Sequence, residues 1–352
     1  MIDSNFTYNT KALSSCAKES SKWLSTHKDL HNKLNSSLLG FSEEQFVVPL
    51  ILDNKYGFLP PWSYCLHEAG QELNSAITLV LSGMYKESFR SLRSFVELNL
   101  MSIYYFTNED IESFLRWISG DERTPTRKFL VDYLLKNNPK IALLESQLLW
   151  SQRIGEFYNS LSVYVHTQGS SGSFRSLRNS NTITFSQRGL ELGIKSIIEA
   201  IQLVSEAFVA NFPMALQPLP LFEKFAFSPP AGDFLDEFQV EHVNKIFPAR
   251  YRKILKNMSD NNDKVKFHID WVLSMPNLSQ EETMQSLEKT LDSFPEQREE
   301  VHALIKEGKT DLAFALTTAI QRSFLSASLP LLNEHYLGIL SSDKIGSSSQ
   351  TV

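Results

Sequence analysis

Cysteine is almost missing from this sequence. Cys16 and Cys65 are the only two in 352 residues, which excludes a disulfide framework and suits a reducing compartment. Chain breakers are scarce as well, with 14 glycines and 14 prolines. That scarcity argues against a fold of short strands and turns and for long helices. No run of about 18 uncharged apolar residues occurs, as a membrane span would need. The best attempt, LNSAITLVLSGMY over residues 73–85, runs straight into Lys86. The opening residues, MIDSNFTYNTKALSSC, lack the basic start and apolar run of a signal peptide. A cytoplasmic protein with no membrane association is the expectation. Excess positive charge is absent too: the net charge is −6. General attraction to nucleic acid is thereby excluded, and only a local basic patch remains open.

Several chemical signatures are also lacking. There is no GxxxxGK[ST], no GxGxxG before a helix, no GxSxG and no CxxC. The common ATPase, dehydrogenase, hydrolase and zinc-ribbon classes fall away with them, and no cofactor is expected. His27 and His31 are spaced four apart, as two metal ligands on a helix would be. Lys28 stands where the zinc-protease motif needs Glu, so no metal site is expected.

What the chain does have is apolar periodicity. Hydrophobic residues make up 42% and include 24 phenylalanines, enough for a sizeable core in a chain of two-domain length. Leu73, Ile77, Val80, Leu81 and Met84 recur at three and four, followed by Phe89, Leu92, Val96, Leu100 and Tyr104. This predicts one or two long helices joined near Gly83. Asn108 is a candidate N-cap for a helix ending at Gly120, and Thr124 with Pro125 a candidate start for the next. Residues 140–166 read as one or two helices, TITF over 182–185 as a possible short strand, and 187–211 as a clean helix. Ser42 with Gln45, and Ser279 with Glu282, match the capping box. The expected fold is all-α. A helical bundle over 1–212 precedes a proline-rich linker at 213–233, which holds Pro213, Pro218, Pro220, Pro229 and Pro230. A second, smaller helical domain covers 234–341, and 342–352 reads as a disordered tail. Acidity concentrates after residue 212, with 14 basic and 19 acidic residues there against 20 and 21 before it.

Two polar constellations interrupt the apolar pattern. Arg90, Arg93 and Glu97 in FRSLRSFVE share one helix face through spacings of three and four. Tyr158, Ser162 and His166 in FYNSLSVYVH sit four apart on another. The loop after His166 holds Arg175 and Arg178 among Ser, Gly and Asn, with Arg188 just beyond, a composition that suits phosphate contact or a solvated connection. ARYRKILKN, over 249–257, reads as a helix with a solvated basic face.

A helix holding RSLRSFVE, then FLRWISG, then a helix ending FYNSLSVYVH resembles the bacterial HEPN proteins. The similarity is greatest to uncharacterised members with an Arg-x6-Glu helix and a Tyr-x3-Ser-x3-His helix, and it covers about residues 64–212. It implies a bundle of four or five helices, commonly a dimer. The resemblance allows two functions: a metal-independent ribonuclease in toxin–antitoxin or anti-phage systems, or a non-catalytic partner-binding protein. The ribonuclease pattern places Arg four to six residues before His on one helix. Here those positions hold Ser160, Leu161 and Ser162, and Arg153 is the nearest preceding arginine. A nuclease would therefore use His166 for proton transfer with Arg90 or Arg93 from the neighbouring helix, and Tyr158 and Ser162 would position RNA. The reading favoured on sequence is the non-catalytic one, a dimerising or partner-binding protein in a bacterial stress or defence setting. The two differ in whether the His166 stripe meets Arg90, Arg93 and Glu97 in an open cleft or a sealed network.

Overall fold

The computed structural model describes residues 2–45, 63–108, 111–166, 183–226, 235, 237–292 and 295–308. The described residues form fifteen α-helices and one 3-10 turn, with no strand among them beyond a single bridge between Pro218 and Leu235. The fold is all-α. No described helix is long and apolar enough to cross a membrane. In chain order the helices are α1 (Ile2–Thr26), α2 (Lys28–Gln45), α3 (Ser63–Leu81), α4 (Tyr85–Asn108), α5 (Ile111–Ile118), α6 (Arg127–Asn137), α7 (Pro139–Leu148), α8 (Trp150–Val165) and α9 (Gln187–Asn211). The 3-10 turn Pro213–Leu216 follows. Then come α10 (Leu221–Phe225), α11 (Glu237–Ile246), α12 (Ala249–Asp260), α13 (Asp263–Ser274), α14 (Gln280–Leu291) and α15 (Pro295–Lys306).

Helix α9 is the spine. Eighteen of its 25 residues are buried, including every residue from Leu203 to Asn211. A helix apolar on one stripe would bury about half its surface, so this one is surrounded over its second half, while Arg188, Lys195 and Glu199 stay exposed nearer its start. It packs against α2, α3, α4, α7, α8, α11 and α12. The small residues on α9 decide how close its neighbours come. Tyr85, at the start of α4, lies flat on Gly189, and Val80 of α3 fits over Gly193. The Tyr85 hydroxyl also donates to the Ser186 carbonyl at 3.1 Å and accepts from the Ser186 amide at 2.9 Å. Ser186 caps α9 through its own Oγ, which takes the Gly189 amide at 3.1 Å. The spine thus begins where the α3–α4 hairpin turns. That turn needs a left-handed residue, which Gly83 supplies at φ +76°.

One hydrophobic core runs from Trp23 to Leu255. The proline-rich stretch contributes to it and to a smaller cluster beside it. Ala215 and Leu216 join the main core, while Met214, Leu219 and Leu221 pack with Val265 and Val272 of α13. Gln217 ties the stretch to α12 by donating to Ser259 Oγ at 2.8 Å and Asp260 Oδ1 at 2.7 Å, and Ser259 donates to the Pro213 carbonyl at 2.6 Å. Cys16 and Cys65 are both free and buried, and burial pushes both thiols above their ordinary pKa.

Several expected boundaries move. Helix α2 runs through Ser42 to Gln45, so no helix starts at that capping-box pattern. Asn108 ends α4 and does not open α5. The cap before α6 is Thr126, two residues after the expected one, and its hydroxyl takes the Phe129 amide at 3.3 Å. No strand forms at 183–185. The second capping box is present: Ser279 Oγ accepts the Glu282 amide at 3.2 Å, and Glu282 Oε2 takes the Ser279 amide at 2.7 Å. The expected helix 187–211 matches α9 at both ends. Residues 46–62, 167–182 and 309–352 lie outside the described residues.

The contact of Tyr85 with Gly189 predicts a costly overpacking. Gly189→Ala would set a methyl inside the tyrosine ring's contact distance, and the expected loss of stability is about 1–3 kcal/mol, read from the midpoint of urea unfolding followed by circular dichroism. An unchanged midpoint would show that the ring moves aside freely.

Candidate functional site

Helices α4 and α8 pack against each other, with Phe89 and Tyr164 in ring contact at 5.2 Å. The crossing is pinned by a buried phenol. The Tyr158 hydroxyl donates to the Arg93 backbone carbonyl at 2.8 Å. Two turns further along α8, the chain leaves the helix at His166, whose amide still reaches the Ser162 carbonyl at 3.0 Å. The exposed His166 ring then meets the half-buried Arg93 side chain, with Arg93 Nη1 at 3.4 Å from His166 Nε2.

The two constellations therefore come together, and on the solvent side. Arg93, Tyr158 and His166 touch directly. Glu97 lies near enough to the Tyr158 hydroxyl to act on its ionisation. Ser162 is half-buried between Tyr158 and His166 on α8. Arg90 is exposed one turn before Arg93 on α4 and forms no ion pair among the described residues. Arg188 is exposed in the first turn of α9. Arg175 and Arg178 lie outside the described residues.

One cation in the site carries no signal in the local sequence. Arg127, the first residue of α6, places its guanidinium carbon 4.8 Å from the Tyr158 ring centre, while that of Arg93 is at 5.1 Å. Both distances are within cation–π range. Burial is the main cause that holds the phenol well above its ordinary pKa. The charge of Glu97 adds to it, and Arg93 and Arg127 pull the other way. Tyr158 therefore stays neutral, anchors the crossing and transfers no proton.

Arg153, the arginine nearest before His166 in sequence, faces elsewhere. It forms a two-pronged ion pair with Glu206 of α9, Nη1 to Oε2 at 2.7 Å and Nη2 to Oε1 at 2.9 Å. Gln202 adds a bond to Oε1 at 2.9 Å, and Tyr251 of α12 stacks on the guanidinium at 4.4 Å. The Glu206 side chain is 0% exposed and that of Arg153 is 18% exposed. Burial opposes the charge on Arg153, but the hydrogen bonds and charge of Glu206 outweigh it and hold its pKa above the ordinary value. This pair joins α8, α9 and α12, and it leaves Arg153 no freedom to serve His166.

The metal reading of His27 and His31 finds no geometry to support it. His27 stacks on Trp23 at 3.7 Å and bonds the Trp23 carbonyl at 2.8 Å, while His31 bonds Asn35 at 3.2 Å. Among the described residues there is no group of three or more metal-ligating side chains. A comparison of the chain with protein-family models, with characterised proteins and with solved structures finds no match. What the site offers chemically is an exposed imidazole beside guanidinium groups that have no carboxylate within ion-pair distance among the described residues, with Glu97 close by at the Tyr158 hydroxyl, and free N–H edges of this kind suit an anion.

The buried pair makes its own prediction. Arg153→Met leaves Glu206 buried without its cation and is expected to lower stability by about 3–5 kcal/mol. Replacing both residues by Met is expected to recover most of that loss, as measured by chemical denaturation. A double variant no more stable than the single one would assign the cost to lost packing.

Proposed function

We propose that this chain binds single-stranded RNA, holding a backbone phosphate between Arg93 and His166. The observation that carries this reading is the solvent-facing contact of Arg93 Nη1 with His166 Nε2. A sealed network would have its charges paired internally, whereas here the imidazole is exposed and Arg93 has no carboxylate within ion-pair distance among the described residues. A phosphate oxygen can take the hydrogen bond that Arg93 now gives to the imidazole, and bidentate recognition by guanidinium is the strong form of such contacts. Exposed Arg90 adds positive potential one turn away. The net charge of −6 keeps the attraction local, so binding depends on this face and not on the whole surface.

The catalytic form of the reading uses the same atoms. The ribose 2′-hydroxyl attacks the adjacent phosphorus and gives its proton to His166 Nε2. The phosphorus–5′-oxygen bond breaks, and the departing oxygen takes a proton from water. The products are a 2′,3′-cyclic phosphate and a 5′-hydroxyl end. Arg93 neutralises charge that builds on the phosphoryl oxygens. This form agrees with the HEPN-like resemblance of residues 64–212.

A second reading keeps the chain non-catalytic, as a dimerising or partner-binding module in a bacterial stress or defence setting. It draws support from aromatic residues left in solvent. Phe267 is 67% exposed and Trp271 44% exposed, one turn apart on α13, and Phe238 of α11 is 66% exposed. Exposed apolar surface of this kind marks interaction sites.

Filter binding with end-labelled single-stranded RNA tests the first reading. Arg93→Ala and His166→Ala are each expected to weaken retention about tenfold, the worth of one charge-assisted hydrogen bond, and retention is expected to fall as salt rises. A cyclic-phosphate product from the parent protein and none from His166→Ala supports the catalytic form. Equal retention by all three proteins removes the site, and a concentration-dependent mass in sedimentation then favours the second reading.

A further inference from the structure

Arg127 has a position that packing alone does not account for. It opens α6, a helix with no acid in its first turn and a second cation, Lys128, beside it. Cations at this end oppose the helix dipole. No carboxylate lies within ion-pair distance of Arg127 among the described residues. The side chain instead crosses to α8 and lies beside Gly155, with Nη1 at ordinary contact distance, 3.7 Å, from a Cβ built there. There it shares the Tyr158 ring with Arg93, and the two distances to one ring centre place the guanidinium carbons no more than about 10 Å apart. The phenol they share stays neutral, and Glu97, the carboxylate that acts on its hydroxyl, is not within ion-pair distance of either guanidinium.

We propose that Arg93 and Arg127 form a paired guanidinium clamp built on Tyr158, and that the site takes two successive phosphates of one strand. This rests on the phosphate reading of the Arg93–His166 face and adds a second subsite to it. Arg93 with His166 holds the first phosphate, and Arg127 holds its neighbour. Tyr158 backs both guanidinium groups, so their outward N–H edges are left for phosphate oxygens.

Calorimetric titration with uridine 3′-phosphate and with uridine 3′,5′-bisphosphate separates the two subsites. The parent protein is expected to bind the bisphosphate about tenfold more tightly than the monophosphate. Arg127→Met, which keeps the side-chain stem over Tyr158, is expected to abolish that difference and leave the monophosphate affinity within about twofold of the parent. Arg127→Lys, which keeps charge but not the fork, is expected to fall between them and serves where the Met variant unfolds. Arg93→Ala is expected to weaken both ligands. If Arg93→Ala weakens both while neither Arg127 variant changes the preference, the clamp is wrong and the single-phosphate site stands. If the parent binds neither ligand, or Arg93→Ala changes neither affinity, the phosphate reading fails and the clamp with it.

Discussion

The all-round burial of the C-terminal stretch of α9, Leu203–Asn211, is the constraint from which the other positions follow. That stretch has no solvent face for a charge, yet it carries Glu206 at 0% exposure. An isolated carboxylate there would cost several kcal/mol, and only a close, well-oriented cation can offset that. Arg153 provides it through two short bonds. The pairing fixes the rotation of α8 about its own axis, because Arg153 must face α9. With α8 so turned, Tyr158 reaches the α4 backbone and His166 emerges beside Arg93. The candidate site thus inherits its geometry from an ion pair that takes no part in it.

The polar groups of the interior divide into those that specify the fold and those left over for a ligand. At the far end of the bundle, Asn138 caps α7 and binds both Thr107 and Asn211, and Lys140 binds the Asn211 carbonyl. Gln217, Ser259 and Asp260 likewise close on one another. These networks are internally satisfied and rigidify the packing. The cations over Tyr158 differ, since their described contacts are with an aromatic ring and an imidazole, and no carboxylate lies within ion-pair distance of them among the described residues. Guanidinium groups with unspent N–H edges favour an anion from outside.

Much of this was legible in the sequence, and the failures share a cause. The bounds of α9 followed from an unbroken apolar pattern over 187–211. Spacings of three and four placed Arg93 and His166 each on one face of its helix, and the packing of α4 on α8 brings those faces together. Cap positions were less secure, because Thr124 and Thr126 are chemically equivalent candidates and only packing selects the second. Ser42 and Asn108 carry cap chemistry inside helices whose apolar faces continue past them, and burial overrides the local preference. The roles of Arg153 and Arg127 were invisible for another reason. Glu206 lies 53 residues beyond Arg153, and Tyr158 lies in another helix from Arg127, so no local period connects either pair. The residues of the proline-rich stretch read as linker, yet several are buried against α12 and α13, because proline excludes helix interiors and not hydrophobic cores.

The junction before α8 holds the remaining degree of freedom. Leu149 takes a left-handed conformation at φ 50° with no glycine to ease it, and it serves at once as the end of α7 and the threshold of α8. Glu145 then reaches over the joint to the Ser151 amide at 2.7 Å and hydroxyl at 2.9 Å. One shared residue makes this an elbow with no slack. Adding or removing a single residue there would turn α8 by about 100° relative to α7, swinging the imidazole off the arginine and the buried arginine off its glutamate together. Length at this joint is therefore as firmly specified as any side chain in the site.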